Sequence, residues 1–320
     1  MAARSRCRNP LPQPRTERHL PSQKMTIYAG PGTLRQIEDG SHNFYCRTVG
    51  AVEGAGWSVD LREDDLGAYA LEAQNGGYAL YHMSSPPHEK ALVCRRTYVG
   101  AFWRIEKRSQ RWAWPIAHQP FDPETVPQGP ANWFFNFWKK RLFADAPQLG
   151  DDGFILIPLQ GSVFDQRDFQ AASPLEMIEA TLAQSPLPIL VTMHPKAPLS
   201  PQSEAALLAL AEREKRITIH RGGSIEALPR CSFVVTQYSS VALLGYFFEK
   251  PAVLFAEIDF QHIAGSVPRD GLEGAFASVN QKRDYARYLF WFLKLNSLNA
   301  GNEAFEEGLP AKFREHGWPI

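Results

Sequence analysis

Between Phe154 and Phe260 short apolar runs alternate with longer stretches of mixed character. Phe154–Leu159, Ile189–Met193, Phe233–Thr236 and Ala252–Phe255 are rich in β-branched and aromatic residues and too short for helices, which predicts four strands. Between the first two, Ser173–Ser185 opens Ser-Pro-Leu-Glu. A capping serine, proline at the first helical position and glutamate at the third predict a helix start. Ser200-Pro201-Gln202-Ser203-Glu204 opens another helix, predicted to run to about Arg216 with Ala205, Leu208 and Ala211 on one stripe. Ile217–His220 reads as a strand, Ser224–Leu228 as a short helix and Val241–Glu249 as a longer one. Strands that alternate with helices predict a parallel sheet, because parallel neighbours need a connection long enough to carry the chain back.

Upstream the pattern is less regular. Thr26–Ala29, Tyr78–Met83 and Ala91–Cys94 predict short strands, and Asp64–Asn75 a helix closed by Asn75-Gly76-Gly77, together a smaller α/β unit. Tyr98–Trp114 interleaves Phe102, Trp103, Trp112 and Trp114 with Arg104, Lys107, Arg108 and Arg111. Such a segment either stacks on rings and pairs with phosphates, or anchors a helix to the sheet while its arginines snorkel. Gly129–Phe143 carries Trp133, Phe134, Phe135, Phe137, Trp138 and Leu142 and includes Lys139-Lys140-Arg141, which predicts an aromatic helix packed in the interior with cations at its carboxyl end. A membrane-surface role is the alternative for that helix. The turn-rich, polar Ala146–Gly153 predicts the domain boundary. The expected organisation is therefore a disordered tail over 1–24, a first α/β domain over 25–149, a second over 150–265 and closing helices over 266–320, among them the amphipathic Asp284–Leu295.

Composition narrows the classes. The chain has 320 residues, more than single cores usually reach, so two domains are expected. It carries 34 basic and 34 acidic residues, and this zero balance argues against a general nucleic-acid binder. Cys7, Cys46, Cys94 and Cys231 are widely spaced with no pair at metal-ligand spacing, which predicts neither a disulfide framework nor a metal site and suits a reducing, cytoplasmic compartment. Residues 1–24 hold six cations, one acid and four prolines without the apolar core of a signal peptide.

The candidate chemistry sits where predicted strands end: Pro158-Leu159-Gln160, His194-Pro195-Lys196 and Gln237-Tyr238-Ser239-Ser240. In parallel sheets ligands bind outside the carboxyl ends of the strands, so these segments are expected to meet in one crevice. Gln160 offers a donor and an acceptor for a base or sugar edge, and Asp165 in the following loop is the candidate general base, with Asp60 and Glu63 as alternatives from the first domain. His194 and Lys196 can hold a phosphate and offset charge on a leaving group. Ser239 and Ser240, at a predicted helix start, add hydroxyls to backbone N–H groups that favour anions. Glu257, just past the fourth strand, is placed to accept ribose hydroxyls.

The order Pro-Leu-Gln, His-Pro-Lys, Tyr-Ser-Ser and then Lys250-Pro251-Ala252-Val253-Leu254 resembles the nucleotide-sugar half of bacterial capsular polysaccharide synthesis proteins, the β-Kdo transferases and their relatives. The resemblance covers roughly residues 150–260. It implies a GT-B-like α/β fold of two Rossmann-like domains facing a cleft, the first of them reduced. It also implies transfer of a sugar such as Kdo from a CMP-activated donor to a glycan or glycolipid acceptor. No cofactor is expected, and no metal is required if helix dipoles and cations hold the phosphate. His194 and the Ser239-Ser240 helix start would then lie at the phosphate. Capsule-assembly proteins at the inner membrane become the implied partners, and the inner face of the cytoplasmic membrane the implied place. Gln237–Asp259 is also similar to the CDP-polyol phosphotransferases of wall teichoic acid synthesis, which stays as the nearest alternative. A non-catalytic nucleotide-sugar or glycan-binding subunit is the rival from another class.

Overall fold

The computed structural model describes residues 23–194 and 199–320. The expectations for residues 1–22 of the tail, and for Lys196, lie outside the described residues. The chain divides into two compact units.

One unit ends at Trp114 and also takes in Leu293–Ile320. Its sheet has the order β12-β5-β4-β3-β1-β2. The strands are β1 (Lys24–Ala29), β2 (Ser58–Glu63), β3 (Tyr78–His82), β4 (Ala91–Arg96), β5 (Phe102–Glu106) and β12 (Leu298–Asn299). The first four run parallel, while β5 lies antiparallel to β4 and to β12. Met25–Ala29 is buried throughout, as expected of a strand covered on both faces. The carboxyl-terminal helix Phe305–Glu315 packs on the helix Asn43–Gly54, with Phe305, Leu309 and Phe313 in the core.

Two expectations are corrected here. Tyr98–Trp114 contains the strand β5, not a helix, and its rings are spent inside: Phe102, Trp103 and Trp114 are buried, as is Arg104. Arg111 lies 4.2 Å from the Tyr98 ring and 4.9 Å from the Trp114 ring, so this basic and aromatic array packs on itself. The boundary falls after Trp114, not at Ala146–Gly153. The reason is where the next segment buries its apolar face. In the helix Gln128–Leu142, Phe134 meets Phe290 at 5.5 Å and Phe135 meets Phe247 at 5.9 Å, both residues of the second unit. Upstream of it, His262 Nε2 donates to Ile116 O at 2.8 Å, and Tyr288 Oη can then donate to Nδ1 at 3.0 Å.

The second unit spans Pro115–Phe292. Its sheet, β11-β10-β9-β6-β7-β8, is parallel throughout. It consists of β6 (Ile155–Leu159), β7 (Ile189–Met193), β8 (Ile217–Arg221), β9 (Phe233–Thr236), β10 (Ala252–Leu254) and β11 (Gly265–Ser266). The helix Pro174–Gln184 starts with a complete capping box: Ser173 Oγ accepts from Glu176 N at 3.3 Å, and Ser173 N donates to Glu176 Oε2 at 2.8 Å. Such a cap is worth about 1 kcal/mol. The stretch predicted as one helix over Val241–Glu249 is a six-residue helix, Ser240–Gly245, followed by a 3₁₀ turn, Tyr246–Phe248. The amphipathic stretch from Asp284 is the helix Tyr285–Leu289 with a wider π turn over Phe290–Leu295, and it packs on the helix Gln128–Leu142. No helix of the described residues is long and apolar enough to cross a membrane.

Candidate functional site

β6, the first strand of the second unit, lies between β7 and β9: the chain builds outward from it on one side through β7 and β8, then crosses back to its other side with β9. A crevice forms at such a reversal, outside the carboxyl ends of the strands. Pro158 widens it. The ladder between β6 and β9 pairs Ile155 with Phe233 and Leu156 with Val234, then stops short of Pro158, which has no N–H to continue it. In its place Thr236 Oγ1 donates to Pro158 O at 3.3 Å. The ladder to β7 continues as far as Leu159 opposite Met193.

Where β6 and β9 part, a narrow cavity of about 30 Å³ opens. It has room for a group little larger than one or two waters, so a ligand enters it with one end only. Gln160, Asp165 and Ser239 stand in its wall, joined by Arg167, Gln237 and Tyr238. Asp165 and Arg167 are exposed, on the loop between β6 and the capped helix. Arg167 Nη1 donates to Tyr238 Oη at 3.3 Å, and its guanidinium carbon is 5.9 Å from the Tyr238 ring, which leaves the cation at the mouth. Ser239 is buried and its hydroxyl accepts from Val241 N at 3.3 Å, so it acts first as a helix cap. Gln237 is the least expected member. Its Nε2 donates to Ala172 O at 2.8 Å, and because a carbonyl only accepts, the amide orientation is set. Its Oε1 is left buried with no partner. Leaving an acceptor so costs roughly 1–3 kcal/mol, which a ligand donor would recover.

Not all of the expected residues gather here. His194 follows β7, one position past the Leu159–Met193 pair, so it stands at the same sheet edge as Gln160 on the adjacent strand, but outside the cavity wall. Ser240 begins the short helix and is also outside that wall. Glu257 faces a different cavity of about 550 Å³. A partition of two backbone segments separates them: Gln170 bridges Ala256, Ala171 N donates to Phe255 O at 2.7 Å, and Glu257 N donates to Phe169 O at 2.9 Å. In the first unit, Asp60 is paired with Lys24 at 3.5 Å and Arg62 at 3.0 Å, and Glu63 is exposed at the end of β2. No group of three or more His, Cys, Asp or Glu among the described residues is placed to hold a metal ion.

Arg167 escaped the sequence reading because nothing local distinguishes a loop arginine that ends at a cavity from a solvated one. Gln237 and Tyr238 belong to a segment singled out there, but the serines beside them gave the stronger local signal.

No family model matches the chain, and no curated protein matches it. Among solved structures it is similar to the β-Kdo 2,7 transferase of Thermosulfurimonas dismutans KpsC, at 14% identity and a TM-score of 0.51, over 91% of this chain and 100% of that one. The β-Kdo 2,4 transferase of the same KpsC follows at 11% identity and a TM-score of 0.45, over 85% of this chain and 89% of that one. S. aureus MnaA with UDP stands at 9% identity and 0.35, over 90% and 95%. The fold is α/β and GT-B-like. It consists of two Rossmann-like units, each built on a largely or wholly parallel sheet.

Proposed function

We propose that the chain is a glycosyltransferase of surface-polysaccharide synthesis that takes a sugar of the Kdo class from a CMP-linked donor and passes it to a glycan or glycolipid acceptor. The observation that carries this reading is the cavity at the parting of β6 and β9, where Arg167, Asp165, Gln160 and the unpaired carbonyl of Gln237 converge. Arg167 and His194 take the donor phosphate from the rim. Gln160 and Gln237 read the edge of the base or sugar, and Asp165 accepts the proton of the attacking hydroxyl. Lys196, two residues past His194, adds a further cation, and Ser239 and Ser240 add donors at the helix start. Charge that develops on the leaving phosphate is met by these groups, so the reaction as drawn needs no metal. Similarity of fold to a β-Kdo transferase supports the same reading.

Calorimetry with CMP, CDP, UDP and GDP tests it. CMP is expected to bind best, and Arg167→Ala to weaken it about ten- to a hundredfold, the equivalent of one charge-assisted hydrogen bond. Equal or absent binding of all four nucleotides refutes the donor assignment, and binding without donor hydrolysis or transfer identifies a non-catalytic subunit.

A glycolipid acceptor places the protein at the inner face of the cytoplasmic membrane, with capsule-assembly proteins there as partners. The helix Gln128–Leu142 supports this placement. Opposite its buried Ala131, Phe134, Phe135 and Trp138 it exposes Trp133 and Phe137, stacked at 5.2 Å, with Lys140 and Arg141 further along the exposed side. Aromatic rings beside cations suit an anionic interface. Sedimentation with phosphatidylglycerol vesicles, but not with phosphatidylcholine vesicles, is the expected result, lost in the double variant Trp133→Ser, Phe137→Ser.

A further inference from the structure

We infer that the larger cavity of the second unit, walled by Phe121, Glu257, Gln261 and Ser266, is a binding subsite for an uncharged glycosyl unit, that of the acceptor. The inference rests on the glycosyl-transfer reading for its choice of ligand, but on separate residues for its chemistry. At about 550 Å³ the cavity falls within the roughly 300–1,000 Å³ range of small-molecule sites. It adjoins the first cavity across the Phe169–Ala171 and Phe255–Glu257 partition, so its occupant lies next to whatever the first one holds.

Its wall is built for hydroxyls and ring faces. Phe121 is held edge-on to Tyr288 at 5.1 Å and tilted against Trp291 at 5.3 Å, which fixes an aromatic face on which the C–H face of a pyranose can rest. Ser266 is completely buried and its hydroxyl has no partner, so a donor and acceptor stand unused in the wall. Gln261 spends its amide N–H on Ala117 O at 3.3 Å, which leaves its carbonyl oxygen for a ligand hydroxyl.

The electrostatics select against a phosphate or a carboxylate. Arg269 also lines the cavity, but its guanidinium is committed: Nε and Nη2 donate to Asp270 at 2.7 Å each, Nη2 to Ala264 O at 2.8 Å and Nη1 to Gln261 O at 3.2 Å. Glu257 contributes a carboxylate to the same wall. An anion there would meet a like charge with no uncommitted guanidinium, and only the exposed imidazole of His118, to offset it, whereas sugar hydroxyls donate to a carboxylate readily.

The test is saturation-transfer NMR on the full chain with the methyl glycosides of glucose, galactose and N-acetylglucosamine as probes. Saturation of the ring protons of at least one glycoside is expected, unchanged by saturating CMP or by inorganic phosphate. Glu257→Ala and Ser266→Ala should each weaken binding about fivefold, the effect of one neutral hydrogen bond or more. Ser266→Ala should do so with an unchanged or raised melting temperature, because it removes an unpaired buried hydroxyl. Phe121→Ala should abolish the signal. No saturation of any of the three glycosides, displacement by CMP, or full retention in Glu257→Ala and Ser266→Ala overturns the proposal. If CMP binds and the glycosides do not, the subsite fails alone. If the glycosides bind and CMP does not, the subsite stands and the donor assignment fails.

Discussion

Gln237→Met separates a binding residue from a structural one with a single substitution. Methionine nearly preserves the volume and removes both ends of the amide. At one end the bond from Nε2 to Ala172 O, 2.8 Å long, is lost. Ala172 is only partly buried, so water can reach its carbonyl, and the loss stays near the net worth of a neutral hydrogen bond, about 0.5–1.5 kcal/mol. At the other end the buried, unpaired Oε1 disappears, which recovers about 1–3 kcal/mol of desolvation. The sum is near zero or slightly stabilising. For a domain of this size about 1 kcal/mol corresponds to about 2–4 °C, so the melting temperature should hold within that margin or rise. If Oε1 accepts a hydrogen bond from the donor nucleotide, the same change should weaken CMP binding by roughly 2- to 13-fold, the affinity equivalent of one neutral bond. Differential scanning fluorimetry and calorimetry on the same preparation read the two effects. A fall in stability above about 2 kcal/mol, or unchanged CMP affinity, would refute the argument, since an acceptor that costs stability without serving a ligand has no explanation here.

Three further outcomes are expected. Glu72 is buried and accepts from Tyr28 Oη at 2.8 Å and Gly77 N at 3.0 Å, with His88 Nε2 at 3.2 Å; Glu72→Leu should destabilise the first unit by about 3–5 kcal/mol in urea titrations, and a loss below about 1 kcal/mol would show that these bonds do not hold the helix Leu66–Asn75 to the sheet. His82 is pushed down to about 4 by burial first and then by His42, Arg95 and Arg96, against the opposing Asp64, from its ordinary 6.5. With the folded value below the unfolded one, the unfolded chain takes up the proton first, so stability is full above about pH 6.5 and falls as the pH drops toward about 4, by at most about 2–3 kcal/mol. His82→Gln should flatten the urea midpoint between about pH 7 and pH 4.5, and an unaltered slope would assign it to other groups. A Cβ on Gly265 would lie 2.1 Å from Ala275 O, a backbone atom that cannot swing aside, so Gly265→Ala should lower stability by about 1–3 kcal/mol or more and displace Ser266; an unchanged melting temperature would mean that β11 is looser than its packing indicates.

Local pattern determined the elements whose signals are complete within a few residues. The apolar runs at 154–159, 189–193, 233–236 and 252–255 became β6, β7, β9 and β10, and the cap at Ser173 started its helix where the Pro and Glu positions require. The first unit was less legible for the same reason. Ser58–Glu63, half-exposed on an edge strand, alternates polar and apolar residues too weakly to read as β2. Tyr98–Trp114 carries rings whose burial depends on β4 and β12, the latter almost two hundred residues away. The tertiary structure alone decided the rest. The boundary moved to Trp114 because Phe134 and Phe135 bury against residues more than a hundred positions downstream. Gln160, Asp165 and Ser239 share a wall, while Glu257 is cut off from it by the bridge between Gln170 and Ala256. The cavity itself exists because Pro158 ends one ladder and Thr236, 78 residues on, supplies the replacement bond. Periodicity and capping act between residues a few positions apart. Strand order, and with it the set of side chains that can meet one ligand, is settled by pairings whose partners no local window contains.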